Sequence, residues 1–168
     1  ESYKEYIYPN EVKLTFKIDK TDNINTEVPK FYVDSCNFGT PQNSCILMTL
    51  GVSFAGIEID RATKEMKRVA GVMPRSIWYN KKLKTPIATP AKVYVDFNGF
   101  ELKEKMVIHA LKRADSYYDN KTGWLVVGER QTTIIDDAYE ISKDVIIVLR
   151  DQELMSVWIK IQPGLMVK

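Results

Sequence analysis

The residues most suited to chemistry are nine cations concentrated in the middle of the sequence. They lie between positions 61 and 92 and are Arg61, Lys64, Lys67, Arg68, Arg75, Lys81, Lys82, Lys84 and Lys92. Glu65 is the one acidic residue among them, so this basic segment has a formal charge of +8 and the remainder of the chain −6. Lysine and arginine neutralise phosphates and other anions. Trp78 and Tyr79 lie in the same segment and can stack on unpaired bases.

Two interpretations of the basic segment remain open at this stage. In the first, a site for an anionic partner is formed by Arg61, Lys64, Lys67, Arg68, Arg75, Trp78, Tyr79, Lys81, Lys82 and Lys84. The partner would be nucleic acid, an acidic protein or the headgroups of a membrane. In the second, the cations pair with carboxylates elsewhere in the chain, and Trp78 is a residue of the core.

Six carboxylates follow late in the sequence, between predicted strands. They are Asp136, Asp137, Glu140, Asp144, Asp151 and Glu153. Oxygen ligands of this kind suit Ca²⁺ or Mg²⁺, but the spacing and the glycine of an EF-hand loop are missing, and a solvated surface is the ordinary explanation. The same carboxylates can meet the basic segment of a neighbouring copy, which would produce a homo-oligomer by head-to-tail assembly.

Candidate catalytic residues are few. Asp96, Glu101 and Lys103 resemble the acidic residue and Glu-x-Lys pair with which some metal-dependent nucleases hold Mg²⁺ and position water, and this phosphodiesterase is the alternative function. His109, the one histidine, is predicted on the polar face of a helix beside Lys105 and Lys112, with no carboxylate that could orient it as a catalytic base. Glycine-rich phosphate loops and a G-x-S-x-G elbow are missing. We therefore assign no catalytic residue, no metal and no cofactor, and expect a protein that is not an enzyme.

The cysteines and the termini bear on the compartment without fixing it. Cys36 and Cys45 flank a turn-like segment and can form a disulfide in an oxidising compartment or stay as buried thiols in a reducing one. We expect no signal peptide and no transmembrane segment, because the longest uncharged stretch is interrupted by polar residues and too short in its apolar part to cross a bilayer. A secreted or virion-associated protein is favoured over a cytoplasmic one.

The elements that must position these residues are mostly strands. Alternation of apolar and polar residues predicts strands at 12–18 and 93–97, and runs rich in β-branched and aromatic residues predict others at 31–33, 124–127, 132–135, 145–149 and 154–161. Positions 45–57 read as two buried strands broken at Gly51. An amphipathic helix is predicted over 101–118, capped by Asn98 and ended by Gly123, with a weak helical turn at 137–142.

Two short segments resemble known families. Residues 38–43, Phe-Gly-Thr-Pro-Gln-Asn, resemble the strand and turn near the start of pepsin-like aspartic proteases, but that family requires Asp-Thr-Gly, a triplet this sequence lacks. Residues 120–125 with 149–152 resemble the late strands of cadherin repeats, whose calcium-binding motifs are not matched. Neither resemblance implies an activity or a ligand here.

The sequence therefore predicts an α+β fold, β-rich and mostly antiparallel, with one main amphipathic helix at 101–118 on one face of a sheet. We expect a single domain over 1–168, with a weak boundary near 81–90. The predicted function is that of a binding or structural-assembly protein, viral or secreted, which contacts an anionic partner through the basic segment.

Overall fold

The computed structural model describes residues 5–7, 13–102, 106–161 and 166–167. The strands are β1 (Glu5–Ile7), β2 (Thr15–Lys20), β3 (Phe31–Tyr32), β4 (Cys45–Leu50), β5 (Phe54–Asp60), β6 (Met66–Val72), β7 (Trp78–Asn80), β8 (Thr89–Asp96), β9 (Met106–Ala110), β10 (Ser116–Tyr118), β11 (Trp124–Gly128), β12 (Asp137–Ser142), β13 (Val145–Arg150), β14 (Glu153–Lys160) and β15 (Met166–Val167). The helical content of these residues is one 3₁₀ turn, Arg75–Ile77. The protein is β-rich, and the predicted α+β class is wrong.

The strands form two main sheets. One has five strands in the order β1-β9-β4-β5-β6, and the other has eight in the order β2-β8-β12-β13-β14-β11-β10-β7; β3 and β15 pair separately. The hairpins β4–β5, β5–β6, β12–β13 and β13–β14 are antiparallel. Strand β9 is parallel to both β1 and β4, β7 is parallel to β10, and β8 is parallel to β12. The sheets are thus more mixed than the sequence predicts.

The eight-stranded sheet has a distinct inner and outer face. Its inner face joins the five-stranded sheet in one large apolar cluster, to which Ile57, Ile108, Leu125 and Ile159 contribute. Its outer face carries a second, smaller cluster of buried residues, Val126, Ile146, Val148 and Trp158. Period-two alternation along β11 and β14 explains why neighbouring residues belong to different clusters.

The segment predicted as a helix contains two strands, β9 and β10, and the turn between them. Positions 106–110 form β9, a strand with neighbours on both sides, and Val107 and Ile108 are both buried. Asn98, the expected cap, has φ 53° and forms a turn with Gly99 before this segment. Leu111, with φ 51°, ends β9 and begins the turn that leads to β10. A strand buried on both faces has no alternation to reveal it, and apolar residues on its two sides happened to match a helical period. Residues 103–105 lie outside the described residues.

Other expectations at the level of single elements had mixed outcomes. The two buried strands over 45–57 are confirmed as β4 and most of β5, with Gly51 at φ 63° in the turn between them. Strands at 124–127, 145–149 and 154–161 are confirmed as β11, β13 and β14. The segment 132–135, predicted as a strand, is a turn, and the segment 137–142, predicted as a helical turn, is β12.

Candidate functional site: a lysine corner on the outer sheet

The fold divides the basic segment between the two sheets. Its first part belongs to the β5–β6 hairpin, where the Arg68 Nε lies 2.7 Å from Oε1 of buried Glu58 and the Lys67 Nζ lies 3.5 Å from Glu65. Lys64 donates to the carbonyl oxygen of Arg61. A buried carboxylate requires a cationic partner, so the charge of Arg68 is used inside the fold. Lys92, on β8, lines a cleft of about 430 Å³ together with this paired group.

The aromatic residues of the basic segment point in opposite directions. The Trp78 ring packs 5.2 Å from Phe31 and 4.9 Å from Tyr118, against the inner core. Tyr79 faces outward with 57% of its surface exposed, and its ring centroid lies 5.8 Å from that of Tyr117. The Arg130 guanidinium covers the Tyr117 ring at 5.0 Å. Trp78 is therefore a residue of the core, whereas Tyr79 is available at the surface.

Residues 81–88 form a strap across the outer face of the eight-stranded sheet. The topology requires it, because β7 is one edge of this sheet and β8 lies next to the other edge. Crossing six strand spacings takes roughly 29 Å, which eight residues span only when nearly extended. Pro86 restricts the backbone accordingly, and Leu83 and Ala88 pack against the outer cluster. Lys81, Lys82 and Lys84 are exposed along the strap.

A buried carboxylate, Asp119, fastens the start of the strap to the sheet. Its Oδ2 accepts the Leu83 N–H at 3.0 Å, and its Oδ1 accepts the N–H groups of Lys121 at 3.0 Å and Thr122 at 3.3 Å. These hydrogen bonds, that from Leu83 first, lower the pKa of Asp119. The Lys81 N–H also donates to the Tyr118 carbonyl at 3.0 Å. One carboxylate thus joins the strap to the β10–β11 turn.

The result is a cationic surface that we call the lysine corner: Lys81, Lys82, Lys84, Lys121 and Lys160. Lys121 lies in the turn held by Asp119, and Lys160 is paired across the sheet with Trp124. Trp158 belongs to the outer cluster, so Lys160, two residues along β14, faces the same side. Trp124 packs edge-on to Trp158 at 6.4 Å and provides apolar surface beside the lysines.

Sequence reasoning found three members of the corner and missed two. Lys81, Lys82 and Lys84 were in the predicted site, and Tyr79 lies on the same face of the sheet. Arg75 is exposed on the 3₁₀ turn before β7. Lys121 and Lys160 are distant in sequence, and an Asp-x-Lys turn gives only a weak signal. The cations from Arg61 to Arg68 belong to the other sheet and do not join the corner.

The alternative catalytic residues do not form a site that the structure describes. Asp96 is exposed at the end of β8 and accepts the Asn98 N–H at 2.8 Å, and Glu101 is exposed in the following loop. Lys103 lies outside the described residues. Among the described residues, no group of three or more His, Cys, Asp and Glu side chains could hold a metal ion.

His109 has a different environment from the one predicted. It lies half-buried on β9, and its Nδ1 lies 2.7 Å from the Thr49 hydroxyl on the neighbouring strand. Burial, and secondarily the charge of Lys112, lowers its pKa. The predicted position on the polar face of a helix is wrong because the segment is a strand. Thr49 is fully buried, so this pair is part of the sheet interior.

Both cysteines are free thiols and are partly buried. Cys36 has φ 52° in the turn after β3, and its Sγ lies 3.7 Å from the Val33 carbonyl. Burial, and then the charge of Glu58, raises the pKa of Cys45. A thiol with a raised pKa is a poor nucleophile at neutral pH. The disulfide in an oxidising compartment stays a prediction.

Comparison with known proteins gave no match: no family model, no curated protein and no solved structure is similar to this chain. Within the ranges that the structure describes, no helix has the length and the apolar composition that a bilayer crossing requires.

Proposed function

We propose that this protein is a non-enzymatic binding protein that contacts an anionic partner through the lysine corner. The observation that carries the proposal is the Asp119 carboxylate, which holds Leu83 of the strap and Lys121 of a distant turn at the same point. Lys82 and Lys84 flank Leu83, so three cations from two segments converge there. Cations held close together at a surface attract an anionic partner more strongly than the same charges dispersed.

The charge of the corner is directed outward. Asp119, the carboxylate that joins the two segments of the corner, is buried and already accepts three backbone N–H groups. Among the described residues, no ion pair involves Lys81, Lys82 or Lys84. This is a clear difference from the β5–β6 hairpin, where Arg68 and Lys67 have carboxylate partners. The corner, rather than the whole basic segment, is therefore the part suited to a partner.

The aromatic residues beside the corner add contact area more than base stacking. The Tyr117 ring is already in contact with Tyr79 and with the Arg130 guanidinium. Tyr79 and Trp124 remain partly exposed at the margin of the lysines. Such residues contribute apolar contact to any partner, so the site favours anionic surfaces in general over a sequence of stacked bases.

Charge reversal tests the proposal. Changing Lys81, Lys82 and Lys84 to Glu should abolish most binding to a fluorescein-labelled single-stranded oligonucleotide and to poly-glutamate, measured by fluorescence anisotropy. For the oligonucleotide, the wild-type affinity should fall with salt, and loss of three phosphate contacts should lower the slope of log K against log [salt] by roughly 2.

The matched control changes Lys13, Lys17 and Lys20 to Glu, since these exposed lysines at β2 give the same change in net charge. The control should retain most of the wild-type affinity. Equal losses in the two variants, or wild-type binding to neither probe at low salt, would contradict the proposal.

A further inference from the structure

The exposed side chains at the two ends of the eight-stranded sheet differ in charge, with more lysines at one end and more carboxylates at the other. The registers place Trp124, Lys160 and Val145 at one end, which is the end of the lysine corner, and Gly128, Arg150 and Glu153 at the other. Seven residues of β14 separate these ends, which is roughly 23 Å. The second end carries five carboxylates, Glu129, Asp136, Asp137, Asp151 and Glu153, together with Arg130 and Arg150. Lys112 and Arg113 line the cleft beside Glu129, so the exposed negative charge of this end is concentrated at Asp137, Asp151 and Glu153. Asp136 and Glu129 share Arg150.

A hydrogen-bonded turn with two exposed isoleucines lies at the second end of the sheet. Ile134 is fully exposed and Ile135 is 61% exposed. The Asp136 N–H donates to the Thr133 carbonyl at 3.1 Å, and the Thr133 N–H donates to Asp136 Oδ2 at 2.8 Å. The Arg150 guanidinium holds the same carboxylate at 2.7 and 3.1 Å. The backbone of the turn is therefore held by contacts within the chain itself.

The composition of this turn is unusual for a solvated one. Central turn positions favour Gly, Pro, Asn, Asp and Ser, whereas β-branched apolar residues neither favour the turn conformation nor bury apolar surface there. Exposed apolar side chains on a preorganised turn cost little entropy when they bind. The isoleucines therefore indicate a contact surface, which we call the isoleucine turn.

We propose that the partner bound by the lysine corner is the isoleucine turn and the surrounding carboxylates of a second copy of this chain. This inference rests on the proposed function and names the anion. The carboxylates around the turn repel anionic lipid and nucleic acid, and they complement a cationic surface. The lysine corner provides both the cations and, through Trp124 and Tyr79, apolar surface for Ile134 and Ile135.

The arrangement leads to head-to-tail assembly. Because the two surfaces lie at opposite ends of one sheet, a copy that donates its isoleucine turn still has a free lysine corner. Contacts of this heterologous kind do not stop at a dimer; they continue into rings or open chains. The assembly should depend on salt, since it pairs surface charges.

Sedimentation velocity on the full chain tests the inference. The wild-type mass should rise above the 19.4 kDa monomer with concentration at low salt and return to it at high salt. The variant with Lys81, Lys82 and Lys84 changed to Glu should be monomeric, and so should a variant with Asp137 and Glu153 changed to Lys. Because several charge pairs are reversed at once, each should associate more than roughly tenfold more weakly than the wild type. Changing exposed Asp22 and Glu27 to Lys is the control and should not alter assembly.

Sedimentation velocity on a mixture of the two charge variants tests the pairing directly. The first variant keeps a native isoleucine turn and the second keeps a native lysine corner, so each should be monomeric alone while an equimolar mixture should form heterodimers. A variant with Ile134 and Ile135 changed to Ser should assemble roughly tenfold more weakly while keeping the salt dependence. A wild-type chain that is monomeric at high concentration and low salt, or a mixture that stays monomeric, would overturn the inference.

The polyanion assay separates the two proposals. If the wild-type chain binds the oligonucleotide or poly-glutamate but does not self-associate, the second copy is excluded as the partner and the proposed function stands. If neither binding nor self-association is observed, both proposals fail.

Discussion

Replacement of Asp119 is the sharpest test of how the lysine corner is built. The wild-type carboxylate accepts the N–H groups of Leu83, Lys121 and Thr122. A hydrogen bond to a charged acceptor contributes about 1.5–3 kcal/mol, and less where water can replace the acceptor. The Lys121 and Thr122 amides belong to exposed residues, so most of the cost comes from Leu83. We expect Asp119→Ala to lower the free energy of unfolding by about 2–3 kcal/mol, and Asp119→Asn by less.

The pH dependence follows from the lowered pKa of Asp119. Its stabilising effect is fully present above the pKa of the unfolded chain, near 3.9, and is lost as the pH falls through the lower pKa of the folded state. Urea titrations should therefore show the gap between wild type and Asp119→Asn closing in acid. A gap that is the same at all pH values would refute the assignment of these hydrogen bonds.

Polyanion binding gives a second measurement for Asp119→Asn, in which two possible effects of the substitution have opposite signs. Removing a negative charge beside lysines should strengthen anion binding if only the Coulomb energy matters. If Asp119 acts by holding the strap, as the structure indicates, the cations separate and the affinity for the labelled oligonucleotide falls. An affinity that rises, with faster exchange of the Leu83 amide, would show that the corner does not need this anchor.

Two further perturbations test other parts of the fold. Asp136→Asn should destabilise the protein by about 2 kcal/mol, since its carboxylate serves both Arg150 and the Thr133 N–H; urea denaturation measures this, and an unchanged midpoint would contradict it. Because burial lowers the pKa of His109, its stabilising effect is present above about pH 6.5 and lost as the pH falls through the folded pKa. Wild-type stability should then fall between pH 7.5 and 5.5 more steeply than that of His109→Gln, and parallel curves would be evidence against it.

The strands that could be predicted are those with a visible pattern or clear punctuation. Gly51 marks the turn between two apolar runs, and β13 and β14 are long and rich in β-branched residues. Strand β9 could not be recognised in this way, because a central strand is buried on both faces and shows no alternation. The Asn98-Gly99 pair was a turn signal, but the apparent helical period outweighed it.

Only part of the lysine corner could be predicted, because a sequence shows where the cations are but not which side chains the fold brings next to them. A run of cations is visible in the sequence, but which of them have carboxylate partners depends on the fold. Arg68 meets Glu58 across a hairpin, whereas Lys84 and Lys121 are brought together by a carboxylate at position 119. Such convergence depends on a strap that crosses a sheet, and no local pattern encodes it.

The parallel pairs have a consequence for how the chain reaches this fold. Strands β1, β4 and β7 precede their parallel neighbours, and β9 and β10 are both needed before these pairings can form. Contacts over long sequence separation slow folding. Until the later strands arrive, the earlier ones present unpaired edges that can bind wrongly. Refolding of this protein is therefore expected to be slow and to favour dilute conditions, with the hairpin pairs forming first and the mixed sheets closing last.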